Sequence, residues 1–120
     1  MRFMIIVRAT AESESDRTPA DADPKILAAM ATYHQQLAEA GVLLDGAGLQ
    51  PSRKGWRLKY RRGQPSVVDG PFTEAKEMVG GFFLLDVATQ DEALAIAAEC
   101  PAAEWCAVEV RATGVCYESP

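Results

Sequence analysis

Four consecutive large apolar side chains, Phe82-Phe83-Leu84-Leu85, constrain this chain more than any other feature. In an extended backbone, successive side chains alternate between opposite faces, so this run is apolar on both. A strand of that kind needs a covering layer on each side. The run opens on Gly80-Gly81, and upstream stands Asp69-Gly70-Pro71, which is strong turn chemistry. A carboxylate there accepts from backbone N–H groups just downstream, glycine permits a positive φ, and proline fixes the φ that follows. Between turn and strand, Thr73 to Glu77 forms a charged connector.

The neighbouring elements follow from local pattern. Arg2 to Arg8 is β-rich with an apolar centre and no clean alternation, a second inner strand. From Ala9 to Ala22 the composition shifts to Glu, Ser, Asp, Thr and Pro, which predicts an exposed loop able to act as a lid. Asp23-Pro24 supplies an N-cap carboxylate followed by proline at the first helical position, and Gly41 supplies a stop, so a helix is predicted over about Pro24 to Ala40. Its stripe Ile26, Met30, Tyr33, Leu37 and Ala40 faces the sheet, with His34 at the margin. Val42 to Leu49 reads as a strand in which Gly46 and Gly48 share one face and Asp45 points to the other.

Trp56 to Arg61 alternates strictly, Trp56, Leu58 and Tyr60 against Arg57, Lys59 and Arg61, which predicts one covered face and one wet face. A hairpin through Arg62-Gly63-Gln64 returns along Ser66 to Asp69, and Pro65 marks an edge ribbon. After the strand Gly81 to Val87, Thr89-Gln-Asp-Glu92 matches a capping box. It predicts a short helix, Ala93 to Glu99, with Leu94, Ala97 and Ala98 buried and Pro101 as its stop. Ala107 to Val115 alternates again as a final strand.

Two helices cannot cover both faces of such a sheet, and a second copy placed face to face is the economical cover. The predicted architecture is α+β, a ferredoxin-like dimeric α/β barrel: an antiparallel sheet with two helices on one face and the dimer partner on the other. At 120 residues the chain is expected to form one domain, 1–120.

The net charge of -5 leaves counterion release on nucleic acid, or attraction to an anionic membrane, little to work with. Neither partner is expected. The apolar run at Met1 to Val7 is too short for a secretory signal and lacks a cleavage site, and no stretch reaches the roughly 18 apolar residues of a membrane span, so a cytoplasmic protein is expected. Cys100, Cys106 and Cys116 are odd in number, show no C-x-x-C spacing and have a single histidine to join them. No disulfide framework, metal site or cofactor is indicated.

The strong catalytic motifs are missing: no phosphate-binding glycine loop, G-x-S-x-G elbow or H-E-x-x-H helix occurs. Among the remaining residues, His34 is a candidate general base, because imidazole exchanges a proton near neutrality; an exposed helix residue is the plainer reading. Asp45, beside Gly46 and Gly48, can hold a substrate hydroxyl or shuttle a proton, or serve as a bulge carboxylate. Asp69 is a third catalytic candidate or a cap for its own turn. Gly46, Gly48, Asp69, Gly70, Pro71 and Phe72 make up the candidate ligand-binding set, the glycines for close approach and the rest as a projecting turn. Arg57, Lys59 and Arg61 suit an anionic ligand, the acidic residues of a second subunit, or a solvated outer face.

The segments DGPFTEAKE at Asp69 to Glu77, GGFFLLDV at Gly80 to Val87, AGVLLDGAGLQPS at Ala40 to Ser52 and VEVR at Val108 to Arg111 resemble the YCII-related superfamily, and more closely its DGPF branch. The resemblance spans nearly the whole chain and implies a dimeric ferredoxin-like α+β barrel in a bacterial protein. The superfamily is related to barrels that include lactone isomerases and monooxygenases, and members resembling this branch often stand beside extracytoplasmic-function sigma factors. Its enzyme-like members are held to use a histidine and an aspartate as acid and base. Aligned here, that histidine falls near Ala29 or Met30, and that aspartate, in an Asp-Pro pair, falls on Cys100-Pro101. Neither is present; His34, about one turn later, substitutes only if the helix is rotated or displaced.

The expected function is therefore a homodimeric small-molecule-binding or regulatory module, with an accessory role in sigma-factor signalling implied by the resemblance. The alternative is a cofactor-free acid–base enzyme, of isomerase or lyase type, acting on a small cyclic or carbonyl substrate through His34 and Asp45 or Asp69.

Overall fold

The computed structural model describes residues 1–10, 23–71, 79–104 and 106–114. Its elements are β1 (Arg2–Arg8), α1 (Pro24–Glu39), β2 (Leu43–Gly48), β3 (Trp56–Arg61), β4 (Gln64–Asp69), β5 (Val79–Asp86), α2 (Gln90–Ala98) and β6 (Val108–Ala112), with short 3-10 turns at Ser52–Lys54 and Pro101–Glu104. The predicted loop at Ala9 to Ala22, the connector Thr73 to Glu77 and Phe72 lie wholly or largely outside the described residues.

Local chemistry sets the helix ends. Asp23 accepts from the Lys25 N–H at 2.9 Å and Pro24 opens α1. Gly41, at φ +76°, ends it, and its N–H and that of Val42 return to Ala38 and Leu37 carbonyls. For α2, Thr89 accepts from the Glu92 N–H while the Glu92 carboxylate accepts from the Ala88 N–H, a capping box displaced by one residue.

Four strands form one antiparallel sheet in the order β2-β5-β1-β6. Two βαβ units thus interleave, the ferredoxin-like α+β arrangement. Phe3 pairs with Leu85 and Ile5 with Phe83, all buried, with Ile5 and Leu85 fully so. Tyr33 and Leu37 of α1 and Ala93 and Ala97 of α2 close over them. Burying a side chain such as Ile5 or Leu85 contributes about 1.5–3 kcal/mol.

Three expectations about packing are corrected. Ala40 caps α1 and is exposed, because the chain turns away at Gly41 before that position can reach the sheet. On α2 the buried side is Ala93 and Ala97, while Leu94 and Ala98 are exposed. The two methyl-sized residues, one turn apart, let the helix backbone lie close to the sheet. Third, the Trp56-Leu58-Tyr60 face is not covered: these side chains are 68%, 62% and 73% exposed. The reason is that, among the described residues, β3 and β4 pair only with each other, as a two-stranded ribbon separate from the main sheet, turned by Arg62 and Gly63 at positive φ.

The sheet face turned away from the helices carries Met4, Ile6, Phe82 and Leu84, all half-buried. Arg8 and Arg111 flank it, both paired to the Glu109 carboxylate, which they hold below the usual carboxylate range. Among the described residues, no helix is long and apolar enough to cross a membrane.

Candidate functional site

Glycines make the site. Gly46 and Gly48 lie on the helix-facing side of β2, opposite Phe83 and Gly81 of β5, and Gly80 follows at the strand end. Nothing lies within 4 Å of the position a Gly48 Cβ would take. Above this bare floor α1 presents Ala31 and Ala38, too small to fill the gap. A cleft of about 650 Å³ results, walled by Val7, Met30 and Phe83 and carrying two polar side chains, His34 and Gln35.

His34 is held at this cleft by the helix phase. Its neighbour Tyr33 points into the core, where its ring meets Phe83 edge-on at 5.4 Å and its hydroxyl donates to the Ile96 carbonyl at 2.6 Å. One residue further round, the His34 ring tilts against the same Phe83, centroids 6.1 Å apart, with its edge left exposed. Burial pushes the Tyr33 phenol far above its ordinary pKa, assisted by Cys100 and Glu99, so it stays neutral.

Of the residues singled out in the sequence, His34 and Gly48 line the cleft and Gly46 seats beside His34. Asp45 lies on the opposite sheet face, in register with Leu84, and accepts from the Gly46 N–H at 2.8 Å next to a bulge. Asp69 ends β4, and Gly70 and Pro71 follow it, all outside the cleft lining. Gly70 is not at positive φ, contrary to expectation; the glycine is needed because a Cβ there would fall 1.7 Å from the Ser52 carbonyl oxygen. Gln35, Gly80 and Gly81 were missed as site residues. The legible signal was a second glycine pair opening β5, able to pair with Gly48.

Of the positions where the family resemblance puts acid and base, Met30 lines the cleft just described. Ala29, Cys100 and Pro101 border a second concavity of about 780 Å³ between the start of α1 and the end of α2, beside Lys25, Glu99 and Glu104. A methyl group and a buried thiol stand there. Burial pushes the Cys100 thiol up against weaker backbone hydrogen bonding, and Cys106 is raised by burial and by Cys100. Among the described residues no group of three or more potential metal ligands occurs.

Comparison with known proteins agrees with this topology. An uncharacterized protein of Rhizobium meliloti is 35% identical over 83 residues, covering 69% of this chain and 67% of its own. The 5-chloro-2-hydroxyhydroquinone dehydrochlorinase TftG from Burkholderia phenoliruptrix, solved with 2,5-dihydroxybenzoquinone, superposes with a TM-score of 0.54 over 95% of this chain and 94% of its own. At 19% identity that likeness concerns the fold. The model of the YCII-related domain matches residues 1–113, and the chain belongs to that family.

Proposed function

We propose that the protein is a homodimeric small-molecule-binding module whose ligand is a compact, largely apolar ring compound seated between α1 and the glycine floor of β2 and β5. The observation that carries this reading is the cleft: its roughly 650 Å³ falls within the usual range for small-ligand sites, and its lining is apolar apart from His34 and Gln35. A ring occupies such a space with its faces against Phe83, Met30 and Val7, and a hydroxyl or carbonyl on it reaches the imidazole or the amide. TftG, which shares the fold, holds a small hydroxylated ring. The homodimer is supported by the half-buried row Met4, Ile6, Phe82 and Leu84 on the open sheet face. Membership of the DGPF branch and an accessory role beside a sigma factor rest on the motif Asp69 to Phe72 alone.

The second reading is a cofactor-free acid–base enzyme on a small cyclic or carbonyl substrate. His34 in the cleft favours it, as the single histidine of the chain and a group able to give and take a proton. Among the described residues no carboxylate lines the cleft, so the imidazole would serve as both acid and base. Binding therefore stands first.

A thermal-shift screen of lactones, keto acids, phenols and quinones tests both. A compound at a hundredfold over its Kd adds about 2.7 kcal/mol, on the order of ten degrees in Tm for this size. Stabilisation that His34→Ala abolishes supports the site; turnover of the same compound promotes the enzyme reading. No stabilisation by any class overturns the binding reading.

A further inference from the structure

The β3–β4 ribbon has no role in the cleft, yet it carries the most exposed apolar surface of the described chain. Its register sets Leu58 opposite Val67 and Tyr60 opposite Pro65, so one face is apolar along most of its length, with Trp56 opposite Asp69 at its root. Trp56, Leu58, Tyr60 and Val67 are each more than 60% exposed. A lone two-stranded ribbon is marginal in water and gains its stability from a layer packed on one face. The four side chains offer on the order of 500 Å² to such a layer, most of the roughly 800 Å² per partner of a stable interface.

Charge says which surface supplies the layer. The ribbon, 56–69, carries four basic residues, Arg57, Lys59, Arg61 and Arg62, against the single acidic Asp69, which leaves the rest of the chain sixteen acidic against eight basic; Arg57, Lys59 and Arg61 alternate onto the ribbon face opposite Leu58. Two such ribbons repel each other and are drawn to the acidic body, whose overall charge also disfavours a polyanion. That body holds the other half of an apolar contact. Its open sheet face is half-exposed at Phe82 and Leu84, and Asp45 and Asp86 stand exposed around Leu84.

We propose that the ribbon is an intermolecular clasp, its Trp56-Leu58-Tyr60 face docking on the open sheet face of a second copy of this chain around Phe82 and Leu84. The proposal rests on the homodimeric reading above and names the contact that builds the dimer. The ribbon is rooted where β2 meets β5, the Leu49 N–H bonding the Gly80 carbonyl at 2.8 Å, and Gly80 lines the cleft. Docking the ribbon thus fixes one rim of the ligand site.

Light scattering during gel filtration tests the clasp on the full chain, with circular dichroism to show that each variant is folded. Wild type is expected at twice the chain mass of 13.0 kDa, and Leu58→Asp, a change at an exposed position, at the single mass. Leu84→Asp is expected to be monomeric alone, and an equimolar mixture of the two variants to regain dimers, since one intact ribbon then meets one intact face. Should Leu84→Asp fail to fold, Trp56→Ser with Tyr60→Ser replaces it as a second ribbon variant, expected monomeric. A monomeric wild type overturns the clasp and the homodimer together. A dimer that survives Leu58→Asp, or variants that fail to complement when mixed, overturns the clasp while the homodimer stands. A monomeric wild type that binds a single-stranded oligonucleotide through the ribbon assigns that surface to a polyanion instead.

Discussion

The His34 imidazole lies directly over Gly46: a methyl group placed on that glycine would stand 3.6 Å from Cε1 of His34, in ordinary van der Waals contact. The same Cβ would lie 3.1 Å from Phe83 Cδ1 and 3.3 Å from the Phe82 carbonyl oxygen. The ring can shift, but the carbonyl belongs to the sheet. Gly46→Ala should therefore cost about 1–2 kcal/mol in urea denaturation. Gly48→Val, with open space above it, should leave stability unchanged or raise it by up to about 1 kcal/mol while abolishing any ligand-induced thermal shift.

His34→Ala separates site from scaffold. The ring edge is exposed and its packing is limited to a tilted approach to Phe83, so the change in unfolding free energy should stay within about 0.5 kcal/mol. Ligand stabilisation should fall by at least tenfold in apparent Kd. A large loss of stability would reassign His34 to the core.

Tyr33 predicts an alkaline limb. Its folded pKa is raised, so its contribution to stability is complete below the ordinary phenol value near 10 and is lost as pH climbs from there toward the folded value. Urea midpoints should decline above about pH 10. In Tyr33→Phe that decline should flatten, at the expense of about 1 kcal/mol at neutral pH from the lost bond to Ile96.

Glu109 predicts the opposite limb. Arg111 and Arg8 lower its pKa, so the stabilisation is present above the ordinary carboxylate value of 4.5 and is lost as pH falls through the lowered one. Glu109→Gln should make the acid limb of a stability–pH curve shallower: the variant is less stable than wild type near pH 8, and the two curves converge in acid.

Gly70 and Gly63 should respond differently to alanine although both sit in turns of the ribbon. At Gly63, φ +77°, alanine incurs the left-handed penalty of about 1 kcal/mol. At Gly70 the new methyl would overlap the Ser52 carbonyl at 1.7 Å, and backbone must move, costing about 3 kcal/mol. Denaturation of the two single variants measures the contrast directly.

Much of the fold was legible because its signals are local. The cap at Asp23-Pro24, the stop at Gly41, the box at Thr89 to Glu92 and the doubly apolar run Phe82 to Leu85 each specify an element within a few residues. The candidate site was legible in part. Gly46 and Gly48 were readable as a bare face and His34 as a marginal helix residue, but their meeting required the register of β2 on β5, which no local pattern encodes. The pairing of Gly48 with Gly81, which turns two glycine pairs into one floor, was invisible for the same reason.

What the sequence determined by itself is the list of elements and the side of each that is apolar, since backbone sterics and the periods of helix and strand act over neighbouring residues. Only the tertiary structure decided which apolar sides find a cover. Phe83 and Leu85 meet the helices, whereas Trp56, Leu58 and Tyr60, on a strand that alternates strictly, stay more than 60% exposed. It also decided why Gly70 is glycine, for contact with Ser52 rather than for φ. Burial and close approach depend on residues far apart in the sequence, and are fixed only when the chain has closed upon itself.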